Sequence, residues 1–315
     1  MNKKYPTTIC AVLCCAGLLA ITNRCLASAY GVDVAANDIS FQIAIRKLVE
    51  KDLNSIEFSS AVETEFRTAR FSEALGSVTA DSAPSEIRPL FNALSMKSFY
   101  SLLLVDALAL EKLAMLLKAK KDLRPTEAKA VFGALLGARA FERAKLFQNA
   151  VNPTAAETLP KTIDLLDAGS ARTLWLIDQS NRVIERKLVP EFRGAQLIVV
   201  ASTQCQFSVR AMTAIAADTA LSAAVPTSTL WIVPPERSLP FTALQRWNQS
   251  HDLLQFALVN KKDEWPFIDS WDTPEFHFLK DGKVVDRLTG WPRDGSNEQK
   301  LLSKLRELNL PAPKQ

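Results

Sequence analysis

The stretch TPEFHFLKDGKVVDRLTGW, residues 273–291, reads as two extended segments closed by a tight turn. EFHFLK and KVVDRLT are rich in aromatic and β-branched residues, the side chains that suit a pleated, half-buried surface. KDGK between them supplies the Asp-Gly pair of a two-residue hairpin loop, a type I or I′ turn. The pair is therefore expected to be antiparallel. Pro274 has no N–H to give to a ladder and stands where the first strand starts.

A second stretch, LIVVASTQCQFSVRAM (197–212), has a different form: an apolar run, a polar corner with one cysteine, then the onset of a helical pattern. RTLWLID, RVIERKL, TSTLWIV and QFALVN complete a set of strand candidates after Gly169. Helical stretches are expected over 208–221 and 240–250, and a last helix to Leu308 is capped by Ser296 with Gln299. Strands alternating with helices imply crossover connections and parallel pairing, and the hairpin makes the sheet mixed.

From Asn37 to about Ala168 the texture is helical instead. Phe41, Ile45, Leu48 and Val49 share one helical face, and the spacing recurs in Phe99, Leu103, Ala107 and Leu110. Pro84 and Pro89 are expected to break the pattern. Pro125 suits the first turn of a helix running through EAKAVFGALLGARAFERAKLF, with GALLGARA read as ordinary close packing, and Thr154 with Glu157 forms a capping box. The fold class expected is α+β in two domains: a bundle of four to six helices over 37–168, then an α/β domain with a mixed central sheet over 170–315.

Residues 1–29 are expected to be a signal peptide. Lys3 and Lys4 precede an apolar segment from Ile9 to Ile21, shorter than the roughly 20 residues a bilayer span takes, and Ala27-Ser28-Ala29 is a small-residue cleavage site. An uncleaved anchor is the alternative. Cleavage would remove Cys10, Cys14, Cys15 and Cys25, leaving Cys205 as the only thiol of an exported chain, in a compartment that favours paired cysteines. Losing Lys3, Lys4 and Arg24, with no acid beside them, takes the formal net charge from +4 to +1. An even balance gives no reason to expect nucleic acid or an anionic membrane as partner, and membrane contact after cleavage is expected to be peripheral or nil.

The order of elements from Gln196 to Leu308 resembles the thioredoxin-like superfamily, in particular its exported, cytochrome-maturation-type members, over roughly residues 170–310. Cys205 to Ser208 stands where that family has C-x-x-C, and TPEFHFLKDGKVVDRLTGW is similar to its T-P strand and D-G-K hairpin. RTLWLID with RVIERKL resembles the extra hairpin of the exported members. The resemblance implies a cis Thr273–Pro274 peptide facing the cysteine, with Thr273 and Pro274 meeting substrate. It places Cys205 and Ser208 as the catalytic pair, with Gln206 and Phe207 on the substrate side of the first helical turn. The chain departs from the pattern in three ways. Ser208 replaces the resolving cysteine, no tryptophan or proline borders Cys205, and Val199 stands where the family has a buried acid. A peroxidase variant fits less well, since Ser202 and Ile198 hold the places of its threonine and proline.

A thiol at a helix N-terminus is biased toward thiolate and can form a mixed disulfide, but release without a resolving partner takes an outside thiol. The leading expectation is thus an exported, periplasmic protein that binds a client or envelope-assembly partner, with Cys205 as a mixed-disulfide anchor. A monothiol oxidoreductase or isomerase, with glutathione as a candidate partner, is the rival. The envelope-assembly role rests on analogy with helical-plus-thioredoxin layouts of conjugative transfer and pilus assembly. No cofactor or metal site is expected: His251 and His277 with one cysteine do not make a zinc cluster, and phosphate-loop, dinucleotide and esterase motifs do not occur. His251 is expected as a solvated helix end and His277 on an exposed strand face. Trp175 and Trp231 are expected in the core, and Trp265 and Trp271 either in a groove around Cys205 or against the helical half.

Overall fold

The computed structural model describes residues 33–308 except 52, 54, 152–158, 168, 170, 227 and 253. The signal segment with its four cysteines, the Thr154–Glu157 capping box and the Ala168 boundary lie outside the described residues.

Seven helices open the described chain: α1 Val34–Val49, α2 Ser55–Thr68, α3 Phe71–Ser77, α4 Pro84–Ser101, α5 Leu104–Ala119, α6 Pro125–Gly137 and α7 Phe141–Val151. Caps explain several starts. The Asp33 side chain accepts from Ala36 N–H at α1, and the carboxylates of Glu86 and Glu127 reach back to the amides of Ala83 and Arg124, just ahead of Pro84 and Pro125. Pro89 does not break α4 as expected. It costs one backbone hydrogen bond near the helix start, against the burial of Ile87, Leu90, Phe91 and Leu94.

The bundle has more helices than expected because two apparent long helices are each cut in two. Leu102, at φ 53°, separates α4 from α5, and Arg139, at φ 56°, separates α6 from α7; left-handed residues end helices without needing glycine when tertiary contacts hold them. The first cut corrects the shared face expected for Phe99, Leu103, Ala107 and Leu110, of which the first two are exposed and the last two buried. Val49 is likewise exposed, whereas Phe41, Ile45 and Leu48 are buried. Phe41, Phe66 and Phe71 form an aromatic cluster with centroids 5.2–5.9 Å apart. Lys97 is buried between Asp106 and Glu63, 2.8 and 2.7 Å away.

Eight strands follow: β1 Lys161–Ile163, β2 Thr173–Ile177, β3 Val183–Leu188, β4 Ala195–Val200, β5 Leu230–Val233, β6 Phe256–Val259, β7 Glu275–Lys280 and β8 Lys283–Thr289. They form one mixed sheet in the order β1-β3-β2-β6-β5-β4-β7-β8. β4, β5 and β6 are mutually parallel, and β7 runs antiparallel to β4 with Ile198 opposite His277. All seven strand candidates are strands. β1 was missed because only three residues of it pair, on the sheet edge.

The helices of this half are α8 Gln206–Ala217, α9 Thr219–Ala224, α10 Phe241–Ser250 and α11 Ser296–Glu307. The single helix expected over 208–221 is split at Asp218, whose side chain caps α9 through Leu221 N–H. The residue before α11 is Gly295 at φ 71°, so Ser296 is the first helical residue rather than its cap. In the β7–β8 turn Asp281 and Gly282 both have positive φ, 50° and 75°, the requirement of type I′.

The sheet has two different faces. On one, Leu197, Val199, Trp231, Phe256, Phe276 and Phe278 join α8, α10 and α11 in a core continuous with that of α1–α7. On the other, Ile198, Val200, Ile232, Val259 and Leu279 pack under the segment carrying Trp265, Ile268 and Trp271. Trp175 and Trp231 are buried in the large core. Trp265 and Trp271 belong to the small core, so they neither line an open groove nor touch the helical half as expected.

Candidate functional site

The carboxyl ends of β4, β5 and β6 lie side by side, because these three strands are parallel and adjacent. Segments leaving such ends are free of sheet pairing, and a site built there gathers residues from several loops. The one after β4 carries Cys205. Its corner is set by local bonds: Gln204 N–H donates to Ser202 Oγ (3.2 Å) and Cys205 N–H to the Ser202 carbonyl (3.2 Å). Ser202 N–H donates in turn to Ser208 Oγ at 3.3 Å. Cys205 is the residue before α8, and its carbonyl accepts the first intrahelical bond, from Val209 N–H.

Across from it, the Thr273–Pro274 peptide is cis. The sulfur lies 3.0 Å from the Thr273 carbonyl oxygen, to which the protonated thiol donates. Burial pushes the thiol up. The Thr273 side chain, the amides of Ser208 and Phe207 and the Ser208 hydroxyl outweigh that, leaving it below the ordinary thiol value. The Thr273 carbonyl acts in the other sense, favouring S–H. The Thr273 side chain and, after it, the amides of the first turn favour S⁻.

The residues expected at the site divide by exposure. Gln206 and Phe207 face solvent on the first turn, Cys205 and Thr273 are half-buried, and Ser208 and Pro274 are buried. Ser208 is fully enclosed, and its hydroxyl braces the corner by accepting from Ser202 N–H. Arg210 stacks 4.6 Å above the Phe207 ring and donates to the Trp291 carbonyl, tying the helix start to the end of the hairpin.

Behind this corner lies a charged group that the sequence reading did not find. Glu236, on the segment after β5, has one carboxylate oxygen enclosed without a hydrogen-bond partner among the described residues. Burial pushes its carboxyl up, more than the Ser202 hydroxyl, Arg139 and Lys262 pull it down. Burial lowers Lys262, at the start of the segment after β6, against the pull of Asp272 and Glu236. Arg139, buried, comes from the helical half; burial lowers it to about 10, so it stays charged at neutral pH. Position at the end of a parallel strand was the available signal for Glu236, and Pro234-Pro235 obscured it.

His277 is fully buried, not on an exposed face, and both ring nitrogens lack hydrogen-bond partners among the described residues. It meets Glu275, 3.5 Å away and also buried, on the small-core face, where its neighbour across the ladder is Ile198. Alternation with Phe276 and Phe278 implied a solvated face, but the 265–272 segment covers it. His251 follows α10 as expected but is half-buried rather than solvated, its ring stacked 3.8 Å from that of Trp247.

No family model, no characterised protein and no solved structure matches the chain.

Proposed function

We propose that the chain is an exported, thioredoxin-like protein that holds a client or envelope-assembly partner, with Cys205 as a mixed-disulfide anchor. The observation that carries this reading is the contact between Cys205 Sγ and the Thr273 carbonyl. It joins a thiol at a helix start to the backbone beside a cis proline. Support for the thioredoxin-like assignment comes from the order β5-β4-β7-β8 with β4 and β5 parallel and β7–β8 a hairpin. Support for export comes from residues 1–29.

The chemistry is a thiol–disulfide exchange. The Cys205 thiolate attacks one sulfur of a client disulfide; the new bond joins Cys205 to that sulfur, and the other client sulfur leaves as a thiolate that takes up a proton. Disulfide count and oxidation level are unchanged. Cys205 is the only cysteine among the described residues, so a second thiol must come from outside to release the client. That favours holding over turnover. The rival, a monothiol oxidoreductase or isomerase, is favoured by the acid and base gathered behind the corner, Glu236 and Lys262.

The test is capture. The chain is incubated with a peptide carrying an internal disulfide, and the adduct is located by peptide mapping. The reading expects one adduct at Cys205, absent in Cys205→Ser and released by a dithiol. A folded chain that gives no adduct at Cys205, while its denatured form does, contradicts it. Repeated release and recapture with glutathione alone would favour the rival.

A further inference from the structure

We infer that the helical half acts as a clamp on the thiol corner, positioning Cys205 through the segment Pro234–Ser238. The inference rests on the proposed role of Cys205 and gives the helical half a part in it.

Three sets of contacts form the chain of action. The first is close approach. A Cβ on Gly133 would lie 3.0 Å from the Arg237 carbonyl oxygen, and one on Gly137 would lie 2.8 Å from Leu102 Cδ2 and 3.7 Å from the Glu236 carbonyl oxygen. α6 thus presents two bare backbone positions to the segment, which packs where side chains would otherwise stand. This accounts for the two glycines of GALLGARA: Gly133 faces Arg237, and Gly137 lies between Leu102 and the Glu236–Arg237 stretch.

The second set is reciprocal anchoring by two arginines. Arg237 reaches into the helical half, donating to the carbonyls of Ser95 (3.2 Å) and Ala130, with its guanidinium 5.5 Å from the Phe99 ring centroid. Arg139 reaches the opposite way, donating to the carbonyls of Val259 (2.8 Å), Pro234 (2.9 Å) and Val233 (3.4 Å). One arginine therefore satisfies carbonyls at the carboxyl ends of β5 and β6 together. Such charge-assisted bonds in an enclosed setting are the strong kind.

The third set joins the segment to the thiol corner. Ser238 Oγ donates to Gln204 Oε1 at 2.8 Å, and the Glu236 carboxyl faces the Ser202 hydroxyl. Ser202 holds Cys205 N–H and, through its own N–H, Ser208 Oγ. A shift of Pro234–Ser238 is thereby passed to the two residues that fix the corner. The coupling is reciprocal: a client that moves the corner must alter the seating of α6.

The experiment uses the full chain and reads amide hydrogen exchange at Ser202, Gln204 and Cys205 together with the alkylation rate of Cys205. Gly133→Ala pushes the Arg237 backbone away by a few tenths of an ångström; Ser238→Ala cuts the solvent-facing bond to Gln204 and leaves the core untouched. Gly76→Ala, in α3 with nothing within 4 Å of its new methyl, is the control from the same half. The clamp predicts exchange at these amides faster by about fivefold in both test variants, the scale of weakening one neutral hydrogen bond, with a shifted pH midpoint of alkylation and no change in Gly76→Ala. Unchanged exchange at all three amides in both test variants overturns it. If the parent thiol proves inert, the anchor reading falls, and the amide exchange still decides the clamp on its own.

Discussion

Cys205 Sγ and the carbonyl oxygen of Thr273 lie 3.0 Å apart although 68 positions separate them in the chain. The sheet brings them together, since β4 and β7 are antiparallel neighbours and each residue lies just beyond the same end of the pair. Ser208 holds the corner that makes the contact possible. Ser208→Ala leaves the buried Ser202 N–H without an acceptor, a loss of about 1–3 kcal/mol, and removes one of the donors to the sulfur. Denaturant unfolding should show that loss, and the apparent thiol pKa should rise.

His277 should make the protein sensitive to acid. Burial, then the neighbouring Arg287, hold its pKa down to about 4 against the pull of Asp269, while in the unfolded chain it titrates near the ordinary value of 6.5. The unfolded state therefore binds the extra proton between these two values, so stability is full above pH 6.5 and falls as pH drops toward 4. The integrated loss is roughly 3 kcal/mol. Urea midpoints across pH 4–8 check it: His277→Leu should flatten the slope between 6.5 and 4, and a parent midpoint that does not move in that window contradicts the assignment.

Glu236 acts in the opposite sense. Its carboxyl is raised in the folded state, so its contribution is present below the unfolded carboxylate value and is lost as pH rises through the folded one. Glu236→Gln should be close to the parent in stability at pH 4 and gain on it toward pH 8. A difference that is constant with pH would show the carboxyl to be ordinary.

Lys97 and Asp106 form a buried pair between α4 and α5, with Glu63 of α2 on the far side of the lysine. Asp106→Ala leaves the lysine only the half-exposed Glu63 and should cost about 3–5 kcal/mol, whereas Lys97→Met with Asp106→Leu should recover much of that loss. Thermal unfolding of the two variants separates pairing from packing.

The strands were legible because their signals are local. Alternating β-branched and aromatic residues between turn residues mark β2 to β8, and Asp281-Gly282 marks the hairpin turn without reference to anything distant. The helix boundaries at Leu102 and Arg139 were not legible, because a non-glycine residue with positive φ is paid for by tertiary contacts such as the Arg139 bonds to β5 and β6. Cys205 and Thr273 were singled out through the resemblance to the thioredoxin-like superfamily. Glu236, Lys262 and the His277–Glu275 pair were not, since their character comes from burial by segments far away in sequence, and an isolated acid or histidine looks the same whether solvated or enclosed.

The alkylation rate of Cys205 as a function of pH, measured with iodoacetamide on the folded chain, tests the reactive thiol most directly. A midpoint clearly below that of an ordinary thiol is the outcome expected from donors converging on the sulfur at the start of α8. A midpoint near 8.5 or above, or no reaction until the protein unfolds, would contradict it.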